Sequence, residues 1–175
     1  MFRYSNVKYN ITAINGMNFY WLMGFGFSSL FNSSYYVTDH GAKRVYILND
    51  DWSYVSYKNF SNPAHMITIS NSVYMTGNRN IWKFDKDLNI LFQYNSTGNT
   101  TSKYRGIYYN SKNGFIYAAP MSLTEIQVFD LNLAYNHNIS ISPYKPYSIS
   151  EYNNKMFVGT SNGTILVIQN EMIIN

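Results

Sequence analysis

The chain has 175 residues, of which 46% are hydrophobic, 18% aromatic and 13% charged, and its formal net charge is +4. That length suits one domain with its own core, and the apolar share excludes a disordered chain. Because the sequence contains no cysteine, it also excludes a disulfide scaffold, a cysteine-ligated metal site and a cysteine nucleophile. The 18 tyrosines and 11 phenylalanines, with abundant asparagine and serine, favour strands and turns, so we predict an all-β protein.

The N-terminal region lacks the basic and apolar segments of a signal peptide, so we expect none. No charged residue occurs between Lys8 and Asp39, and residues 17–31 within this interval are largely apolar. This stretch is shorter than the roughly 20 residues of a membrane helix, and Gly24 is one of several residues that interrupt it. It therefore predicts buried strands and no transmembrane span, with a membrane anchor as the alternative.

The basic residues are scattered along the chain. A pI of about 9.1 is compatible with nucleic-acid binding, but pairs such as Lys43–Arg44 and Lys103 with Arg105 stand apart from one another. We interpret them as surface charge and expect no nucleic-acid partner. The alternative is an RNA-binding face on which Tyr104 or Trp82 stacks with a base between basic neighbours.

One eight-residue pattern occurs four times, at spacings of 36, 45 and 39 residues. Its first and fourth positions are Val, Ile, Leu or Phe, its fifth is Asn, Asp or Gln, and its eighth is again large and apolar. The four copies are Val45–Trp52, Ile81–Leu88, Ile126–Leu133 and Ile165–Met172.

Further apolar segments accompany each copy of this pattern. A segment that begins with Tyr or Phe precedes each copy, another apolar segment lies upstream of it, and a short extended segment follows three of them. Turn residues, including Asn113–Gly114 and Asn162–Gly163, separate the segments. Each unit is therefore predicted to be four antiparallel strands, and a period near 40 residues is typical of β-propeller blades.

We predict a single β-propeller domain, or part of one, built of four-stranded antiparallel blades. The blades are expected at residues 17–58, 63–95, 103–142 and 146–175, with residues 1–16 as the leading strand of a neighbouring or closing blade. Two arrangements fit: a four-bladed ring, or a fragment of a propeller with six or more blades. The lack of a signal peptide and the end of the chain just after the fourth unit favour the fragment.

One unit resembles a known repeat in detail. Residues Val37–Leu48 resemble an NHL repeat, in which a strand ending in Val-x-Asp runs through a turn to Arg-Ile-x-Val-Phe. Asp39 and Arg44 occupy the acidic and basic positions of that motif, and the segment is also similar to the YVTN-type propeller repeat. The resemblance implies a β-propeller that serves as an interaction platform, although a fold alone does not define an activity.

The sequence contains no motif for catalysis or for a cofactor. The three histidines, His40, His65 and His137, have no metal-ligand spacing and are expected to be structural or exposed. Asp39, at the end of a second strand, is the best candidate ligand for a metal in a propeller channel, but one acid does not make a site. We predict no cofactor, no metal site and no catalytic residue, and we leave enzymatic activity open.

One acidic segment begins like a calcium-binding loop. Residues Asp85–Asn89 have the spacing of an EF-hand start, but Ile90 replaces the glycine at loop position six. Ser96 replaces the glutamate at position twelve. We therefore interpret the segment as one copy of the repeated turn.

The sequence contains seven N-glycosylation sequons, most of them in predicted turns or near strand ends. Glycans need such surface positions. The sequons predict an extracellular or cell-surface glycoprotein, and an asparagine-rich cytoplasmic protein is the alternative. Their acceptor residues are Asn10, Asn32, Asn59, Asn95, Asn99, Asn138 and Asn162.

These features favour a non-catalytic binding or scaffolding module that contacts a protein or a glycan through loops on one face. The candidate contact residues are Tyr104, Arg105 and, less directly, Asp39; Trp52 is a further candidate whose repeated apolar position favours the core. Two other functions remain open: a metal-dependent propeller lyase or hydrolase acting in the central channel, and an RNA-binding NHL-like propeller.

Overall fold

A computed structural model describes residues 13–14, 17–28, 34–96 and 103–169. Within these ranges the regular secondary structure consists of 17 strands, which confirms the all-β prediction. No helix in this part of the chain has the length and apolar character needed to cross a membrane.

The strands form the blades of a β-propeller, and within each blade they pair antiparallel in chain order. Blade 1 consists of β3 (Leu22–Ser28), β4 (Ser34–Asp39), β5 (Arg44–Leu48) and β6 (Tyr54–Asn59). Blade 2 consists of β7 (Met66–Ile69), β8 (Ser72–Thr76), β9 (Asn80–Phe84) and β10 (Ile90–Asn95).

Blade 3 is also four-stranded, whereas three strands of blade 4 lie within the described ranges. Blade 3 consists of β11 (Tyr104–Asn110), β12 (Phe115–Pro120), β13 (Glu125–Phe129) and β14 (Tyr135–Ser140). Blade 4 consists of β15 (Pro146–Tyr152), β16 (Lys155–Thr160) and β17 (Ile165–Gln169).

Two short strands before blade 1 pair in a separate sheet. Strand β1 (Ala13–Ile14) pairs with β2 (Met17–Asn18) in a two-stranded sheet. The rest of the leading strand expected over residues 1–16 lies outside the described residues.

The repeated pattern forms the third strand of each blade, and the side chains of this pattern pack against the neighbouring blades. Because successive strand residues point to opposite faces, its first and third positions face the next blade, and its second and fourth face the preceding one. We call these the trailing and leading faces. Val45 and Ile47 on the trailing face of blade 1 share a core cluster with Trp82 and Phe84 on the leading face of blade 2.

The same arrangement repeats at the next two interfaces. Ile81 of blade 2 is fully buried in a cluster with Phe129 of blade 3. Ile126 and Val128 of blade 3 are fully buried in a cluster against which Leu166 of blade 4 packs. The core is thus a series of blade-to-blade interfaces made from one repeated strand.

The leading face of blade 1 differs from the others. Its cluster contains Tyr46 and Leu48 with neighbours from blade 1 and the segment just before it. Strand β3 adds Phe25 and Phe27 to this face, and their side chains are 49% and 42% exposed.

The sequence predicts buried strands over residues 17–31. The strand is confirmed, whereas the expected burial is wrong for Phe25 and Phe27. Residues 22–28 form β3, whereas residues 29–31 lie outside the described part of the chain. Phe25 and Phe27 of β3 remain partly exposed because, among the described residues, no blade packs on the leading face of blade 1.

The turn after the third strand also repeats. Its last residue adopts a positive φ at Trp52, Leu88 and Leu133, and the amide of each donates back to the carbonyl of the fifth pattern position. Leu88 and Leu133 are buried, so the turn folds its large apolar residue back over the blade. Trp52 stacks on Tyr35 with ring centroids 4.4 Å apart, which places it in packing on blade 1.

Candidate functional site

A polar cavity lies where the first strands of blades 2 and 3 begin. Its volume is about 60 Å³, enough for a small oxyanion or a few waters. We call it the Arg105 pocket. It is lined by His40, Asn62, Gly77, Asn78, Lys103, Tyr104 and Arg105.

The backbone around the pocket is tightly held. A Cβ atom on Gly77 would lie 2.5 Å from the Trp82 ring and 2.9 Å from the carbonyl oxygen of Asn62, so only glycine fits there. The Thr76 hydroxyl donates to the carbonyl oxygen of Arg105 across the interface between blades 2 and 3. These contacts fix the start of β11 and hence the direction of the Arg105 side chain.

Arg105 is 8% exposed, and its guanidinium has no strong hydrogen-bond acceptor among the described residues. Its Nε lies 3.2 Å from the sulfur of Met121, and its Nη1 lies 3.2 Å from the sulfur of Met23. Thioether sulfur is a weak acceptor. Nη1 also lies 3.5 Å from His40 Nδ1, but this nitrogen is 3.0 Å from the Pro63 carbonyl oxygen. If Nδ1 donates to that carbonyl, it cannot accept from Arg105.

Arg105 and Lys103 bring two positive charges to the lining of the pocket. Within the described ranges the ion pairs are Lys86–Asp87 and Lys112–Glu151, so neither Arg105 nor Lys103 has a carboxylate partner there. Burial lowers the pKa of His65, and the positive charge of Arg105 lowers this pKa further. A buried cation without a counter-ion is costly, and this pocket would lower that cost by binding an anion.

Asp39 has a structural role near this pocket. It is fully buried, and its carboxylate accepts hydrogen bonds from the amides of Tyr20, Trp21 and Ala42 at 2.9, 3.0 and 3.0 Å. The side chain therefore ties the entry of β3 to the turn between β4 and β5. Its oxygens are engaged by backbone amides, and no group of three His, Asp or Glu side chains suited to a metal occurs in the described part of the chain.

Tyr104 does not have the exposure expected of a contact residue in a loop. It is the first residue of β11, it is fully buried, and its hydroxyl donates to Gln127 Oε1. Burial raises the pKa of Tyr104. Because its ring packs in the core between blades 2 and 3, it is not available for stacking on a nucleic-acid base.

Arg105 also belongs to β11 and not to a loop, but it lines the pocket. The residues around it come from different blades: Met23 from blade 1, Gly77 from the turn after β8 in blade 2, and Met121 from the turn after β12 in blade 3. No spacing in the sequence indicates this grouping, so the sequence identified Arg105 without its neighbours.

Four predicted glycosylation acceptors are exposed. Asn59 and Asn95 end the outer strands of blades 1 and 2, Asn138 lies within β14, and Asn162 lies in the turn before β17. The remaining three, Asn10, Asn32 and Asn99, lie outside the described residues.

No protein-family model matches the chain, and no curated protein matches it. The fold, however, is similar to that of many solved structures. The computationally designed Ika4 protein superposes with a TM-score of 0.68 at 11% identity, over 92% of this chain and 98% of Ika4. The chain is a β-propeller.

Larger proteins share this propeller fold. Virginiamycin B lyase from Staphylococcus aureus superposes with a TM-score of 0.61 at 17% identity, over 87% of this chain and 57% of the lyase. The computationally designed Ika8 protein superposes with a TM-score of 0.66 at 11% identity, over 90% of this chain and 48% of Ika8. This chain therefore spans about half the length of these two proteins, and the likeness concerns the fold alone.

Proposed function

We propose that this propeller is a non-catalytic binding module that holds an oxyanion of its partner, a carboxylate or a sulfate, in the Arg105 pocket. One observation carries the proposal: Arg105 lines a cavity and is buried, and the described residues offer its guanidinium only weak acceptors. A protein side chain or an acidic sugar supplies such a group. Charge-assisted hydrogen bonds from a guanidinium to an oxyanion are about twice as strong as neutral ones.

Lys103 and the polar walls support this proposal. Lys103 is exposed at the edge of the pocket, where its ammonium group adds long-range attraction for an anion. Asn62 and Asn78 are further polar residues of the lining. The small volume admits one oxyanion, so the rest of a partner would lie over the neighbouring blade ends.

Sulfate is the probe that tests the pocket. We expect sulfate to raise the melting temperature of the protein above its value in sodium chloride of equal ionic strength, and titration calorimetry to detect its binding. Arg105→Met replaces the guanidinium by a neutral side chain of similar length, so it should weaken sulfate binding at least about tenfold. Lys155→Met removes a positive charge from an exposed position in blade 4 and should leave the affinity unchanged.

His65 gives this experiment a second, local readout. Because the pKa of His65 is lowered in the folded protein, its protonation destabilises the fold as the pH falls through the ordinary histidine range towards that pKa. Sulfate in the pocket should raise this pKa, since it offsets the charge of Arg105, and Arg105→Met should raise it without sulfate. A proton NMR titration measures both. Equal sulfate binding in both variants, or a His65 pKa indifferent to sulfate, contradicts the proposal.

The two other functions are weakened by specific contacts. The likeness to virginiamycin B lyase supplies a fold and no activity, and the carboxylate of Asp39 is occupied by backbone amides. An RNA partner lacks its expected stacking residues because Tyr104 and Trp82 are both buried. RNA that competes with sulfate for Arg105, with an affinity that falls steeply with salt, would replace the proposal of an acidic protein or glycan partner.

We also propose the finer classification and location. Asp39 and Arg44 are register partners across the turn between β4 and β5, which supports an NHL-like blade 1. The exposure of four sequons supports an extracellular or cell-surface location.

Glycosylation has its own test. When the chain is secreted from a eukaryotic host, glycosidase treatment should reduce its mass, and replacing Asn59, Asn95, Asn138 and Asn162 by Gln should reduce that change. A secreted chain with no glycosidase-sensitive mass would remove the main support for an extracellular location.

A further inference from the structure

We propose that the trailing face of blade 4 binds the leading face of blade 1 in a second copy of this chain, head to tail. The proposal is independent of the Arg105 pocket. It rests on the repetition of one interface, which occurs three times among the described residues. The two halves of a fourth instance are exposed on blade 4 and on blade 1.

The trailing face of blade 4 has the same kind of apolar residues as the other interfaces, but these residues are exposed. Ile165 and Val167 occupy the first and third positions of the repeated pattern, and their side chains are 69% and 56% exposed. At the same positions of blade 3, Ile126 and Val128 are both 0% exposed, because blade 4 covers them. The exposed fraction of these equivalent side chains therefore depends on whether a described blade packs on them.

Strand β17 is also unpaired along one edge in the described part of the chain. It pairs with β16 on one side, whereas β5, β9 and β13 each pair with two strands. An exposed apolar sheet face readily associates with another apolar surface, and the unpaired edge leaves this face accessible. Both features occur on the same strand of blade 4.

The leading face of blade 1 offers the complementary surface. Phe25 and Phe27 are about half exposed on it, and they pack against the Tyr35 ring with centroids 5.3 and 4.8 Å away. Phe25 also stacks on Trp52 at 5.6 Å. On blade 2, the leading face covers blade 1 with three large apolar side chains, Met66, Trp82 and Phe84. The leading face of blade 1 carries large apolar side chains of the same kind.

A second copy is the occupant because each chain carries both halves of the interface. Blade 4 of one copy then meets blade 1 of the other through the same pairing that joins blades within the chain. Two head-to-tail contacts of this kind close a ring of two copies. Four blades of this type cover only about half of the larger chains with this fold, so the fold accommodates further blades in the ring.

The oligomeric state of the full chain tests this proposal. Light scattering after size-exclusion chromatography should give twice the 20.4 kDa mass of the chain. Ile165→Lys places a charge in the interface and should reduce the mass to that of one chain. Leu91→Lys, at a 48% exposed position on the outer strand of blade 2, is the matched control and should leave the mass doubled.

Cross-linking tests the orientation. The chain has no cysteine, so Phe25→Cys and Ile165→Cys each introduce a single thiol. A short bis-maleimide should join a mixture of the two variants and should join neither variant alone, since the like faces lie apart in a head-to-tail ring. A single-chain mass for the unmodified protein, a doubled mass retained by Ile165→Lys, or cross-linking within one variant overturns the proposal.

Discussion

Phe129→Ala is expected to lower the free energy of unfolding by about 3–5 kcal/mol. Phe129 is fully buried between blades 2 and 3, where it shares a cluster with Ile81 and Tyr104. The Tyr94 ring meets it edge-on with centroids 4.7 Å apart. Truncation removes the apolar surface of the ring and leaves a cavity that the backbones of two sheets cannot readily fill. Urea unfolding followed by tryptophan fluorescence measures the loss.

Phe92→Ala is the matched control for this loss. Phe92 lies on the outer strand of blade 2 and is 49% exposed, so its truncation should cost less than about 1 kcal/mol. The two variants delete the same atoms, and only the surroundings differ. Equal losses would show that the interface between blades 2 and 3 is not the core of the protein.

Asp39→Ala is expected to destabilise the protein by about 3 kcal/mol or more. The carboxylate accepts three backbone amides, and deleting it leaves these donors without partners near the buried end of β4. Each hydrogen bond to a charged group contributes about 1.5–3 kcal/mol, and an unsatisfied buried donor adds a penalty. Thermal and urea unfolding both report the change.

Asp39→Asn separates this structural role from a metal-binding one. The amide oxygen of asparagine can still accept from two of the amides, so this variant should lose less stability than Asp39→Ala. If Asp39 were instead a free channel ligand, both variants would keep their stability and lose bound metal. A stable Asp39→Ala protein with altered metal content would therefore contradict the structural assignment.

Much of the fold follows from local patterns. The alternation in Val45–Leu48 and its three repeats predicts strands, because one set of positions must face each neighbouring blade. The repeated turn residues predict the ends of those strands. The two Asn-Gly pairs do lie in hairpin turns, but in each pair only the glycine, Gly114 or Gly163, has a positive φ. The type I′ turn expected for Asn-Gly needs a positive φ at both residues.

Long-range packing decided the candidate site. Arg105 follows a short polar stretch, and many other residues of this sequence do the same. Its basic neighbours do not indicate that it lies in a strand. Its surroundings are Met23 and Met121, which lie 82 and 16 residues away. The burial of Tyr104 has the same origin, since blade 2 covers it and no neighbouring residue in the sequence does.

The amino-acid sequence alone predicts four β-blades, the strand that joins them and the acceptor asparagines, because each depends on patterns within about 40 residues. Three other features depend on which blade lies beside which. They are the burial of Asp39, the Arg105 pocket, and the exposed faces of blades 1 and 4. Ile126 and Ile165 are equivalent isoleucines with the same chemistry. Blade 4 covers Ile126, which is therefore part of the core, whereas no blade covers Ile165 among the described residues, and it is exposed.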